Sequence, residues 1–355
     1  LDGWKETLSA YDPTKNFVVT NYHNVWKLNG EYGLVILDES HNYISSFPKI
    51  GATAAQLKVL KREGKENKNI YDAVRRVCRR TPILYLSATP HAQGPQMLYH
   101  QFSVCTYGPW RRYDSFYRWF DNYGLPYTVD INGMDVRQYD KCKVEKVMGD
   151  VSHLFVVKTR AELGFKHEPV DKKHYVKLDS NTMFWYNKLM KDCIIELNDG
   201  LLVCDTDPKL RVSLHALEGG TAKIDDENIV LGNDEKVRYI LETFGDTNNL
   251  VIMYNFQAEL IKLQAVFKHA RLLQATSYAE GVDLHKHDHL AIYSQDYSTA
   301  RHTQRRARQC NLHRDKPITV HHILVKDGIS DQVFDTVCVN KKNYVDSVFK
   351  KVKLK

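Results

Sequence analysis

Leu34-Val35-Ile36-Leu37-Asp38-Glu39-Ser40-His41 joins a short run of large aliphatic residues to two adjacent carboxylates. A run of four apolar residues rich in Val, Ile and Leu reads as a β-strand of a parallel sheet, buried on both faces. The carboxylates then fall at its C-terminal end, where open α/β sheets place their ligands. The same pair would also suit an exposed turn or a helix cap. Similar runs recur at Phe17–Val19, Ile83–Leu86, Leu250–Met253, Leu290–Tyr293 and Ile323–Val325. Segments with helical spacing lie between them, including Ile70–Arg80, Thr182–Leu197, Glu235–Phe244, Ala258–Phe267 and Thr299–Arg308. Strands alternating with helices define an α/β class with parallel sheets.

The whole chain supports this reading. At 355 residues it is long enough for two domains, and 43% hydrophobic residues supply their cores. Aromatic residues at 11% argue against disorder. No stretch approaches ~18 consecutive apolar residues, so no membrane-spanning helix is expected. Seven scattered cysteines without a C-x-x-C pair suit free thiols in a reducing compartment, and a cytoplasmic location is expected. His285, His287 and His289 alternate, and read as a polar loop leading into a strand. The net charge is +7. Lys61–Arg80 and Lys341–Lys355 each carry +5, so the remainder is slightly acidic. Such patches suit phosphates, although lysine-rich helices are often merely solvated. Between the two sets of strands, the aromatics Tyr113, Phe116, Tyr117 and Phe120 have helical spacing and read as core.

A second strand, Ile83–Leu86, ends in Ser87-Ala88-Thr89-Pro90, whose hydroxyls can hydrogen-bond neighbouring carboxylates. Taken together, these segments resemble helicase superfamily two. Asp38-Glu39-Ser40-His41 is similar to its DExH motif II, and Ser87-Ala88-Thr89 to its motif III. Phe17–Tyr22, Leu154–Arg160, Lys173–Tyr186, Lys236–Leu241 and Leu250–Leu263 resemble, in order, elements of the Swi/Snf-type DNA translocase branch. Glu280-Gly281-Val282-Asp283-Leu284 is similar to motif V, with Asp283 where Asn is frequent. Gln304-Arg305-Arg306-Ala307-Arg308 is similar to motif VI, with Ala307 replacing Gly and Asn311 standing where the last Arg is expected.

The resemblance implies two RecA-like lobes and an ATP-dependent motor on double-stranded DNA. Asp38 would hold Mg²⁺ and Glu39 would activate water. His41, Gln304 and Arg308 would join them in catalysis, while Ser87, Thr89, Gly281 and Asp283 would couple nucleotide state to DNA. Thr20, Asn21, Tyr22, Arg160 and Thr276 would touch the DNA backbone. Arg308, Arg305 and Arg314 are the candidates for the arginine that reaches the nucleotide. The implied boundaries are 1–165 for the first lobe, with an aromatic helical insertion at about 95–150, 166–232 for a largely helical connection, and 233–355 for the second lobe.

One family element has no counterpart. Gly64-Lys65 is followed by Glu66, lacks a preceding strand and comes after Asp38, so no Gly-Lys-Thr/Ser phosphate loop precedes motif II. The Gln motif that contacts adenine is also missing. An N-terminally truncated part of a longer protein of phage or bacterial source is the expectation, and this chain alone would be inactive. A nucleic-acid-binding scaffold without ATPase activity, or the motor part of a restriction or repair complex, is the alternative.

Overall fold

The computed structural model describes residues 2–45, 69–88, 90–91, 94–131, 134–275, 282–345 and 348–349. The chain divides into two compact units, Leu1–Val157 and Lys158–Lys355. Both contain parallel strands with helices between them, so the α/β class is carried by the strand pairing itself.

In the first unit, α1 (Asp2–Tyr11) leads through a 3₁₀ turn (Tyr22–Lys27) to β1 (Val35–Asp38) and the short α2 (His41–Ile44). Then come α3 (Ile70–Cys78) and β2 (Ile83–Leu86). β1 and β2 pair in parallel, with Val35 opposite Ile83 and Asp38 opposite Leu86. Val74 and Cys78 of α3 pack beneath them with Val25, Leu37 and Ile44. The strands were expected to be buried on both faces. Instead Ile36 and Leu84, which are register partners, are 40% and 47% exposed. Among the described residues, the elements packed against this two-stranded sheet cover one of its faces. Phe17–Val19, expected as a strand, joins no sheet among the described residues.

α4 (Met97–Phe102), α5 (Phe116–Tyr123), the hairpin β3 (Tyr127–Ile131) and β4 (Met134–Gln138), and α6 (Val144–Val151) complete this unit. Ser115 caps α5 by accepting the Arg118 N–H at 3.3 Å. The aromatic stripe is core, as expected, but its register is Phe116, Trp119, Phe120 and Tyr123, while Tyr117 faces solvent. Trp110 and Tyr123 both donate to Asp150 on α6, anchoring the polar ends of otherwise buried rings.

The second unit is built on five parallel strands: β5 (Pro169–Val176), β10 (Leu250–Tyr254), β11 (Arg271–Gln274), β12 (His289–Ile292) and β13 (Ile318–Val325). Their spatial order is β11-β10-β12-β13-β5. β10 is buried along its whole length, as its uninterrupted apolar run predicts.

The segment 166–232, expected as a largely helical connection, is different. It begins with β5, which pairs with β13 over eight positions and so belongs to the main sheet. α7 (Ser180–Asp192) follows, capped by Asp179, and ends at Cys193 in the left-handed conformation. Two hairpins flank α8 (Asp207–Glu218): β6 (Ile194–Leu197) with β7 (Gly200–Val203), and β8 (Thr221–Ile224) with β9 (Glu227–Val230). The division also falls after Val157, ahead of the expected 165. β5 pulls the chain before it into the second unit, where Arg160 pairs with Glu168 at 2.9 Å and Lys166 pairs with Asp315.

α9 (Glu235–Phe244), α10 (Gln257–Val266), α11 (Thr299–Arg306) and α12 (Ile329–Phe334) complete the second unit. All seven cysteines are free thiols. Among the described residues, no helix is long and apolar enough to cross a membrane, and no group of three or more His, Cys, Asp or Glu side chains is placed to hold a metal ion. His285 and His287 lie in the loop expected for them, and His289 opens β12.

Candidate functional site

Because Asp38 and Leu86 are register partners, the residues that follow β1 and β2 emerge side by side. The Glu39 N–H donates to the Leu86 carbonyl at 2.8 Å, extending the ladder by one bond. Glu39 itself has φ +48°, a left-handed conformation that costs a non-glycine residue about 1–2 kcal/mol. This turn brings its carboxylate back over the end of β2. Ser87 Oγ donates to Glu39 Oε2 at 2.9 Å. His41 Nδ1 lies 3.0 Å from Ser87 Oγ and 3.2 Å from Glu39 Oε2. With the serine O–H donating to Glu39, a serine lone pair is free to accept a hydrogen bond from His41 Nδ1–H. A carboxylate, a hydroxyl and a buried imidazole thus hold one another in place.

Asp38 is supported from its other side. Its Oδ2 accepts the Trp4 indole N–H at 3.0 Å, and its carbonyl accepts the Tyr22 hydroxyl at 2.9 Å. The Tyr22 ring stacks on Tyr43 at 4.2 Å. Burial first, and then the charge of Asp38, push the Tyr22 hydroxyl pKa well above its ordinary value, so it remains a donor. Beneath the site, Gln101 of α4 accepts the Ser40 hydroxyl at 2.7 Å and donates to the Pro90 carbonyl at 2.7 Å. One buried amide therefore ties the turns after both strands together.

The donor set suits a hard divalent cation, since Asp38 and Glu39 offer carboxylate oxygens. For a triphosphate the fit is incomplete, because the described residues include no glycine-rich run of backbone N–H groups to cradle it.

A second group forms in the second unit. Leu284 N–H donates to the Arg308 carbonyl at 2.9 Å, joining the segment after β11 to the turn after α11. Asp283 accepts the His285 backbone N–H at 2.9 Å and faces His285 Nδ1 at 2.8 Å. Asn311 Nδ2 donates to Asp283 Oδ2 at 3.1 Å. The two positions that depart from the family pattern are therefore bonded to each other. Of the three candidate arginines, two are committed within this unit. Arg305 is 2% exposed and is engaged by Asp296 at 3.3 Å and by Asn255. Arg314 is 5% exposed and donates to the carbonyls of His285, His287, Lys316 and Pro317. Gln304 and Arg308 are half-buried beside them.

The remaining expected residues are scattered. Thr20 is half-buried, and Asn21 caps the 3₁₀ turn by accepting the Asn24 N–H. Tyr22 is taken up by Asp38, and Arg160 by Glu168. Thr89, Thr276, Gly281, and much of both basic segments lie outside the described residues. Trp4 and Gln101 were not legible as site residues, because nothing local marks a contact made across tens of positions. The pairing of Ser87 with a carboxylate was legible, since both follow strands.

No protein-family profile matches the chain, and no curated protein matches it. Among solved structures it is similar to the C-terminal part of the Fun30 ATPase domain, at 11% identity and TM-score 0.40, over 54% of this chain and 96% of that one. It is also similar to the Sulfolobus solfataricus SWI2/SNF2 ATPase core in complex with dsDNA, at 13% identity and TM-score 0.34, over 99% and 80% of the two chains. The corresponding Sulfolobus solfataricus core domain gives 12% identity and TM-score 0.33, over 99% and 77%.

Proposed function

We propose that this chain is part of a motor that couples ATP hydrolysis to movement along duplex DNA. The observation that carries the reading is the Glu39–His41–Ser87 cluster at the adjoining C-terminal ends of two parallel strands. Glu39 orients a water molecule and takes up its proton at the carboxylate. Asp38 holds Mg²⁺, which when bound neutralises phosphate charge. His41 and Ser87 fix the Glu39 rotamer, and Ser87 and Thr89 couple the nucleotide state to DNA. In the second unit, Gln304 and Arg308 serve catalysis, and Gly281 and Asp283 couple nucleotide state to DNA. Thr20, Asn21, Tyr22, Arg160 and Thr276 meet DNA phosphates, so binding is independent of sequence and weakens with salt.

ATP hydrolysis by the full-length protein of which this chain is a part, measured with and without duplex DNA, tests this. DNA is expected to stimulate the rate, and Glu39→Gln to lower it by about 10²-fold or more. Equal rates for the variant and the parent, with no stimulation, sink the proposal. They would favour the second reading, a nucleic-acid-binding scaffold without ATPase activity. The engagement of Arg305, Arg314 and Asn311 within the second unit supports that second reading.

A further inference from the structure

A cavity of about 670 Å³ opens in the first unit between α3, α4 and the segment that leads into α5. It is separate from the Glu39 cluster, although α4 serves both: His100 lines the cavity and Gln101 supports the turns after β1 and β2. Its volume lies in the range of small-ligand sites. Tyr71, Tyr99, Trp110 and Tyr113 supply aromatic walls, and Arg75 and Arg111 stand at its exposed rim. Among the described residues, neither guanidinium has a side-chain hydrogen bond or ion pair. The acid at the rim, Asp114, is already matched by Arg118 at 3.1 Å. Burial lowers the His100 pKa to about 4, so the positive charge here comes from the arginines.

Aromatic walls accept a flat ring by stacking, and a guanidinium accepts a phosphate through paired hydrogen bonds. We propose that this cavity binds a nucleobase carrying a phosphate, with the ring among Tyr71, Tyr99 and Tyr113 and the phosphate at Arg75 and Arg111. Its source is either a free nucleotide or the unpaired end of a DNA strand. The choice of a nucleobase over other rings rests on the proposed function.

Hydrogen exchange and tryptophan fluorescence on the full chain can test this with three probes: dAMP, a blunt duplex, and the same duplex with a short single-stranded tail. The expected result is protection of amides in 103–117 by dAMP or by the tailed duplex, but not by the blunt one. A response to dAMP identifies a free nucleotide; a response to the tailed duplex alone identifies a strand end. Arg75→Glu combined with Arg111→Glu should weaken binding about tenfold or more. Thr106→Trp, which fills the cavity from its exposed rim, should do the same. Glu39→Gln should leave binding unchanged. Absence of protection by every probe, or protection that persists in both cavity variants, overturns the proposal. Cavity binding without any DNA-stimulated hydrolysis would retain this site and remove the motor reading; the reverse result would do the opposite.

Discussion

Glu39 is held in a conformation that glycine adopts freely and other residues do not. The usual ranking of alanine over glycine should therefore reverse here. Glu39→Gly is expected to be more stable than Glu39→Ala by about 1–2 kcal/mol in urea unfolding, with neither variant hydrolysing ATP. Ser87→Ala removes the hydroxyl between Glu39 and His41 while leaving the strand ends paired. It is expected to lower the hydrolysis rate about tenfold with little change in stability, a split that rate and melting measurements would reveal. The Asp283–Asn311 bond makes a related point. Each residue alone looks like a departure from a pattern, and only their contact accounts for the pair. Asp283, Asn311 and Ser87 were visible in the sequence because motifs drew attention to them, whereas the roles of Trp4 and Gln101 depend on contacts that spacing does not encode.

Glu259, in the first turn of α10, is the hinge pin between β10 and β12. Its Oε2 accepts the Asn255 and Phe256 N–H groups, both at 3.0 Å, and the Ser294 hydroxyl at 2.7 Å. The first two follow β10, and Ser294 follows β12. Burial raises the Glu259 carboxyl pKa, while these donors and Lys236 oppose that shift. Glu259→Ala leaves the Phe256 N–H and the Ser294 hydroxyl without this acceptor, while the Asn255 N–H keeps Ser294 Oγ at 2.8 Å; it is expected to cost about 2–4 kcal/mol in chemical unfolding. The strands it joins were legible because unbroken apolar runs in a parallel sheet have few other uses. The hairpins within 166–232 were not. α7 continues helical spacing up to Cys193, and the break depends on a left-handed residue that is not glycine. β5 was read as part of a connection because its polar, alternating sequence shows an edge strand but not which sheet it joins. At the first sheet composition alone misleads: β1 is made of residues typical of a doubly buried strand, yet Ile36 faces solvent.

At the scale of the whole chain, buried imidazoles set the response to acid. Burial holds His100 and His321 down to about 4 and His302 to about 3. His321 also lies 2.9 Å from His174 Nε2, a contact that excludes double protonation. An unfolded histidine titrates near 6.5, so between there and about 4 the unfolded chain binds more protons. The stabilisation is complete above about pH 6.5 and is lost as pH falls toward 4. Urea midpoints should fall across that window, and His321→Phe should flatten the dependence. A midpoint that stays constant from pH 7 to 4.5 would contradict this.

The placement of β5 also dictates timing. Pro169 pairs with Ile318, so the edge strand of the second sheet has no partner until about 150 further residues have been made. At cellular elongation rates that wait is roughly ten to thirty seconds. Throughout it, Val170 and Tyr175 would sit on an unpaired strand, a template for association with other nascent chains. Yield of this protein on expression should therefore respond to chaperone supply and growth temperature more than the stability of its finished sheet would suggest.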